Sequence, residues 1–218
     1  SVATRVVRWQ ASHGRSHLPW QKTRDPYRVW LSEIMLQQTQ VSTVLGYYAR
    51  FLERFPDVGA LASASQDEVL GLWSGLGYYS RARNLHLCAQ LVVAEHGGVF
   101  PSSAELLAKL PGIGRSTAGA IAAFCFSQRV PILEANVRRV LTRVVGFDGD
   151  VAVAKNERAL WEYAEALLPV SDLAAAMPRY TQGMMDLGAG VCTPKTPQCL
   201  ICPLMGVCVA QQGGVPER

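Results

Sequence analysis

Charge is scarce in this chain, and lysine is scarcer still. Only 17% of the 218 residues are Asp, Glu, Lys or Arg, with four lysines against 17 arginines. With 49% apolar residues, so little charge excludes a disordered chain. A net charge of +4 is too small to establish an acidic partner by itself. The arginine bias suits bidentate phosphate contacts, although a GC-rich genome produces the same bias. No apolar run is long enough to cross a bilayer; the longest, Ala118 to Phe126, is broken by Gly119. No segment alternates apolar and polar residues as a half-buried strand would, and neither repeats nor low-complexity stretches occur. The expected fold is therefore all α, in one or two domains. Ser1 to Arg5 lacks a signal-peptide pattern, so the expectation is an intracellular protein, cytoplasmic in a bacterium or nuclear in a eukaryote, away from membranes.

What is present centres on Leu110 to Asn136. Leu110-Pro111-Gly112-Ile113-Gly114 is a tight turn whose glycines can take positive φ, and Ala118, Ile121, Ala122 and Cys125 then recur at helical spacing. A glycine turn feeding a helix N-terminus offers unpaired N–H groups to an anion. No Gly-Lys-Ser/Thr follows, which excludes a P-loop. The segment before the turn opens with the capping box Ser102-Ser103-Ala104-Glu105 and a short helix, Glu105 to Leu110, so a dinucleotide fingerprint, which requires a strand there, is excluded too. A helix, a glycine hairpin and a helix remain. Two readings stay open: a DNA phosphate held by backbone amides, or a structural turn with no ligand.

Elsewhere helices are expected at Arg5 to Ser12, Tyr27 to about Gln38, Val41 to Phe55, around Leu85 to Val92, Val137 to Val145, Lys155 to Leu168 and Pro178 to Ala189. Leu18-Pro19-Trp20 reads as an extended link, and Asn136 as an N-cap. Ser65-Gln66-Asp67-Glu68 is a second capping box. Tyr27, Trp30, Leu31, Ile34 and Met35 form a core stripe with Glu33 on its border. A carboxyl there is partly desolvated, which favours its protonated form, although most helix-face glutamates are simply solvated. Gln37-Gln38-Thr39-Gln40 is a polar break, suited to base edges or to capping. Gly75-Leu76-Gly77-Tyr78-Tyr79 is a flexible loop whose tyrosines either stack on bases or pack the loop. Cys88 falls on a core face. Gln211 to Arg218 reads as a linker or loose end.

Four of the six cysteines, Cys192, Cys199, Cys202 and Cys208, have the spacing C-x6-C-x2-C-x5-C. In a chain without a secretion signal, four thiolates in 17 residues point to a metal centre rather than disulfides. Zinc normally draws two Cys-x-x-Cys knuckles and only one is present, while the ferredoxin spacing is tighter. Zinc and an iron–sulfur cluster both stay open on spacing alone. In either case the centre pins a short tail unable to fold unaided.

Taken together, these motifs resemble the endonuclease III superfamily of helix–hairpin–helix DNA glycosylases. Within it, Trp30 to Val41 (WLSEIMLQQTQV), Gly75 to Arg81 (GLGYYSR) and Met184 to Ala189 (MMDLGA) are similar to the MutY-type adenine-specific mismatch glycosylases. The likeness spans nearly the whole chain but only the catalytic half of that family, without the C-terminal domain that helps recognise 8-oxoguanine. The resemblance implies two lobes: a six-helix barrel over 18–128 with its helix–hairpin–helix at 105–127, and a [4Fe–4S] cluster domain made from 1–17 and 129–218. It implies a monomer that binds duplex DNA, flips out a mispaired adenine and hydrolyses its glycosidic bond. By motif position Glu33 is the acid at adenine N7, Glu134 the second carboxylate, and Asn136 a holder of the sugar region. Gln38 and Tyr79 enter the duplex, Val41 contacts DNA or substrate, and Trp20, Gln182 and Met185 line the pocket. Gly112 and Gly114 present amides to phosphate, and Cys192, Cys199, Cys202 and Cys208 ligate the cluster.

Two positions refine this. Relatives that also cut the strand carry a lysine just after the hairpin, where this chain has Ser116, with Lys109 on the preceding helix; a monofunctional enzyme is expected. The family's Asp-Gly-Asn is here Glu134-Ala135-Asn136, which moves the carboxylate out by one methylene. A slow enzyme, a compensated natural variant and an inactive form are all compatible with that change. So are two other functions: excision of another base, such as thymine opposite guanine or an oxidised pyrimidine, and mismatch binding without turnover.

Overall fold

The structure, a computed structural model, describes residues 1–214. Their regular structure is entirely helical, as twelve α-helices and two 3-10 turns. The chain divides into two compact units, His17–Phe126 and a discontinuous one formed by Ser1–Ser16 with Ser127–Arg218.

In the continuous unit, Leu18 is extended as expected, but Pro19–Lys22 closes a 3-10 turn. Proline presets the φ of the first position, and Gln21 both receives a hydrogen bond from the Leu18 N–H (3.2 Å) and donates its own to the Leu18 carbonyl (3.0 Å). Helix α2, Pro26–Leu36, is launched by the Asp25 carboxylate, which accepts the Tyr27 N–H. It ends two residues earlier than expected, because Gln38 adopts a left-handed φ of 59°. Helices α3 (Val41–Arg54), α4 (Val58–Ser63) and α5 (Gln66–Trp73) follow. Helix α4 is signalled only by Asp57, which accepts the Ala60 N–H at 2.8 Å. Helix α6, Tyr79–His96, is closed by Gly97 at φ 63°. Helix α7, Ala104–Leu107, is a single turn capped by Ser103, shorter than expected, and α8 runs from Arg115 to Phe126. Trp30, Leu31, Met35, Phe51, Trp73 and Ile121 are fully buried among these helices, which accounts for the apolar stripe of α2. Cys88 is core, as expected, and burial pushes its thiol up to about 12.

The discontinuous unit holds α1 (Val2–His13), α9 (Ala135–Val145), α10 (Ala154–Ala166), α11 (Leu173–Gly190) and α12 (Val209–Gln212). Helix α11 begins five residues before Pro178, which therefore lies inside the helix. A proline cannot donate to the carbonyl four residues back. That carbonyl, on Ala174, instead accepts the Ser127 hydroxyl at 3.4 Å. The N-cap of α9 is Glu134, not Asn136: its carboxylate reaches the first free N–H groups, and Asn136 is already helical. The stretch read as a loose tail starts within α12, where the Gln211 side chain accepts the Gly206 N–H at 3.1 Å; residues 215–218 lie outside the described residues.

Helix α1 packs closely on α11 at Gly183, where a Cβ would lie 2.7 Å from Val6 Cγ1 and 3.2 Å from Gln10 Cβ. Gly183→Ala is expected to destabilise the protein by about 1–3 kcal/mol through overpacking, read as a lower urea midpoint at unchanged m-value. No loss of stability would refute the close packing.

Candidate functional site

In the continuous unit Glu33 is half-buried on α2, next to the wholly buried Ser32 and Ile34. Cys125 of α8 lies within electrostatic range. Burial pushes its thiol up to about 12, Arg24 opposes the rise, and Asp25 and Glu33 add to it. The Glu33 carboxyl thus sits at the edge of an apolar packing layer, as the stripe pattern anticipated. Trp20 is 8% exposed and packs edge-on against Tyr48, with ring centroids 5.2 Å apart. Val41 is half-buried at the start of α3.

The QQTQ segment splits its roles. The Gln37 amide donates to Thr117 Oγ1 of α8 at 3.3 Å, whereas Gln38 is exposed on its left-handed turn. The Gly75–Tyr79 loop is pinned rather than slack: Leu76 donates to Trp73 O at 3.0 Å, and the Trp73 indole donates to Gly77 O at 3.1 Å. Its tyrosines are exposed, which disfavours the packing reading. Tyr79 is 41% exposed, and Tyr78, to which the motif likeness gave no separate role, is 61% exposed and left-handed at φ 50°. The adjoining Gly-x-Gly was the available signal for that strained turn.

At the hairpin, Ile113 donates to Leu110 O and both side chains are buried, which fixes the turn. Gly112 needs its freedom, with φ 77°. Gly114 does not take a positive φ, contrary to the expectation, and a Cβ there would meet open space. Nothing inside the protein requires a glycine at 114; an outside group approaching the backbone would. Ser116 is half-buried in the first turn of α8, and Lys109 is exposed.

In the discontinuous unit the Glu134 carboxylate accepts the N–H groups of Val137 (2.8 Å) and Asn136 (3.1 Å). Asn136 is fixed by Arg139, which donates to its Oδ1 at 3.1 Å, and by α11, where a Cβ on Gly188 would lie 2.7 Å from Asn136 Cβ. Gln182 and Met185 are half-buried on α11. The Gln182 amide donates to the buried Asp186 carboxylate, itself held by the Arg15 N–H and guanidinium (2.9, 2.9 and 2.8 Å).

Helix α9 also reaches the cysteines. Arg139 Nε donates to Cys192 O at 2.9 Å, and Arg143, 4% exposed, donates to Cys192 Sγ (3.3 Å), Thr193 O (2.7 Å) and Pro194 O (2.9 Å). Cys192, Cys199, Cys202 and Cys208 line one pocket, bounded by Val144, Leu187 and Leu204. Among the described residues no three ligand-type side chains converge on a single-ion position. Burial pushes the Cys202 thiol up to about 11, and the three neighbouring thiols add to the rise. Four crowded thiolates in an apolar cavity need a compact multiply charged cation group, and the set fits an iron–sulfur cluster.

Over residues 31–166 the chain matches the family model of the HhH-GPD superfamily base excision DNA repair proteins. The chain belongs to the HhH-GPD superfamily. Residues 192–208 of this HhH-GPD protein match the iron–sulfur binding domain of endonuclease III, a match that includes Cys192, Cys199, Cys202 and Cys208, and the cofactor is a [4Fe–4S] cluster. The adenine DNA glycosylase of Buchnera aphidicola subsp. Schizaphis graminum is 44% identical over 205 residues, covering 94% of this chain and 58% of that protein. That of Mycobacterium tuberculosis (strain ATCC 25618 / H37Rv) is 39% identical over 218 residues, covering 98% of this chain and 68% of that one. The chain thus spans little more than half of the first relative's length. A solved thermostable thymine-DNA glycosylase superposes with a TM-score of 0.84 at 27% identity, covering 96% of this chain and 95% of its own.

Purified protein is expected to be brown, with a broad visible absorbance and about four irons per chain. Cys208→Ser is expected to lower both together with thermal stability, because closing the 192–208 loop is coupled to folding. Stoichiometric zinc without visible absorbance would overturn the cluster assignment.

Proposed function

We propose that this chain is the glycosylase portion of a monofunctional adenine DNA glycosylase, acting on adenine mispaired with 8-oxoguanine or guanine in duplex DNA. The observation that carries the reading is Glu33, a half-buried carboxyl at the border of an apolar helix face, within the unit that also carries the glycine hairpin. The names of the relatives 39–44% identical to the chain support the choice of base.

The target base must leave the stack before its glycosidic bond can be reached. The exposed Gln38 and the Tyr78–Tyr79 pair enter the opened duplex, and the Gly112 and Gly114 turn receives a phosphate on its amides. Glu33 donates its proton to adenine N7, the C1′–N9 bond breaks with its electron pair going to the base, and an oxocarbenium-like sugar forms. Water adds to C1′ and gives up a proton, so the products are free adenine and an abasic site. The Glu134 carboxylate and Asn136 act on the sugar side, where negative charge opposes the developing cation. With Ser116 where a strand-cutting relative has lysine, no amine forms a Schiff base with the sugar.

Glu134 spends both carboxylate oxygens on the cap of α9. This favours, as a second reading, a protein that binds mismatches and turns over slowly or not at all. Single-turnover reactions on duplexes bearing A:8-oxoG, A:G, T:G and thymine glycol, followed by alkali, test both. Adenine release is expected, with no borohydride-trapped adduct. Glu33→Gln should slow it by roughly 100- to 10,000-fold. Glu134→Asp should accelerate it on the order of 10- to 100-fold by correcting a misplacement of about 1 Å. Release of thymine instead of adenine overturns the choice of substrate, and binding without release of any base establishes the second reading.

A further inference from the structure

Arg81, in the first turn of α6, makes more polar contacts than any single side chain assigned above. Its NH1 donates to the main-chain carbonyls of Ile34 (2.9 Å), Met35 (3.0 Å) and Gln37 (2.6 Å). Its NH2 donates to Thr39 Oγ1 (3.1 Å) and, at longer range, to the carbonyls of Gly77 (3.4 Å) and Leu76 (3.5 Å). The guanidinium carbon lies 5.2 Å from the Trp73 ring centroid and 5.6 Å from that of Tyr78.

Each contact falls on a segment with its own strain. Ile34 and Met35 are among the last carbonyls of α2, at its negative end, where Ile34 O also accepts the N–H of the capping Gln37 at 3.3 Å. Gln37 and Thr39 flank Gln38, and Leu76 and Gly77 precede Tyr78; both Gln38 and Tyr78 are non-glycine residues held at positive φ. A left-handed side-chain-bearing residue costs of order 1–3 kcal/mol and persists only where its surroundings over-determine it. Here one planar fork supplies that restraint to both turns at once, and lysine, with a single point of charge, has no geometry for it.

We propose that Arg81 is a positioning residue that sets the spacing between the Gln38 turn and the Tyr78 turn, and thereby the discrimination between mispaired and matched duplex DNA. The inference rests on the reading of this unit as DNA-contacting. Arg81 acts through the two turns it clamps and takes no part in breaking the glycosidic bond.

The test compares wild type, Arg81→Lys and Arg81→Met. It reads dissociation constants for a non-cleavable A:8-oxoG duplex and a matched duplex at one salt concentration, the single-turnover rate at saturating protein, and amide hydrogen exchange. The ratio of the two dissociation constants is expected to fall about tenfold in Arg81→Lys and about 100-fold in Arg81→Met, the loss of charge-assisted hydrogen bonds. The saturated rate per active molecule should stay within about threefold of wild type. Exchange should accelerate at residues 37–40 and 76–79 and remain unchanged in α8 and α11. Rescue of the ratio by lysine, an unchanged ratio in both variants, or exchange accelerated throughout the unit would each overturn the proposal. A wild type that releases no base yet prefers mispaired DNA refutes the glycosylase reading and leaves the Arg81 test intact; equal binding to both duplexes by wild type overturns the Arg81 proposal itself.

Discussion

The discontinuous unit depends on how one helix, α9, is held at its ends. Its N-terminal amides are taken up by the Glu134 carboxylate, which also suits the positive end of the helix dipole. One turn on, Arg139 ties Asn136 to the carbonyls of Gly188 and Cys192, and a turn later Arg143 takes the Cys192 thiol and the carbonyls that follow it. Glu134 and Asn136, the candidate sugar-facing residues, and the two arginines that reach Cys192 therefore belong to one eleven-residue helix and its N-cap. Closing the cysteine loop fixes Cys192, Cys192 fixes Arg139, and Arg139 fixes Asn136. The hydrogen bonds thus run without a break from the cysteine segment to Asn136.

The continuous unit works on the opposite principle. Its buried aromatic core, with Trp30 against Phe100 and Phe51 against Trp73, is rigid, while the residues proposed to meet DNA stand on three short irregular turns at its surface. Each turn is over-determined by something behind it: the hairpin by Leu110 and Ile113, the Gly75–Tyr79 loop by the Trp73 indole, and the Gln38 turn by Gln37 on Thr117. Backbone in unusual conformations is thus tolerated because packed side chains leave it no alternative.

Much of this was legible in the sequence because its signals are local. Period-3.6 apolar patterning found the long helices and placed Glu33 at the edge of a buried stripe, and the cysteine spacing isolated the metal centre. The errors share a physical cause. Asn136 and Glu134 are both acceptable caps, and the choice between them depends on a glutamate folding back on its own helix, which no propensity anticipates. Pro178 was read as a helix start because a proline inside a helix strands a carbonyl; the partner for that carbonyl, Ser127, lies 47 residues away in sequence. The left-handed turn at Gln38 was missed because the Arg81 contacts that flank it, to Gln37 and Thr39, come from a helix distant in sequence.

The arginine bias takes on a different meaning in three dimensions. Phosphate recognition and genome composition were the two explanations available from sequence, yet several arginines here donate to main-chain carbonyls. Arg5 donates to Pro203 and Met205 O, Arg129 to Glu165, Leu168 and Pro169 O, Arg139 to Gly188 and Cys192 O, and Arg143 to Thr193 and Pro194 O. Arg81 completes the set in the continuous unit. An all-helical fold with long irregular connections accumulates carbonyls at helix ends that no strand can pair. A guanidinium satisfies two or three of them from one planar head, keeps its charge when buried and favours the negative end of a helix. Lysine offers one compact, strongly hydrated charge in its place. Arginine in place of lysine thus suits an all-helical chain with many helix ends, whereas the small net charge of +4 reflects 17 acidic residues against 21 basic ones.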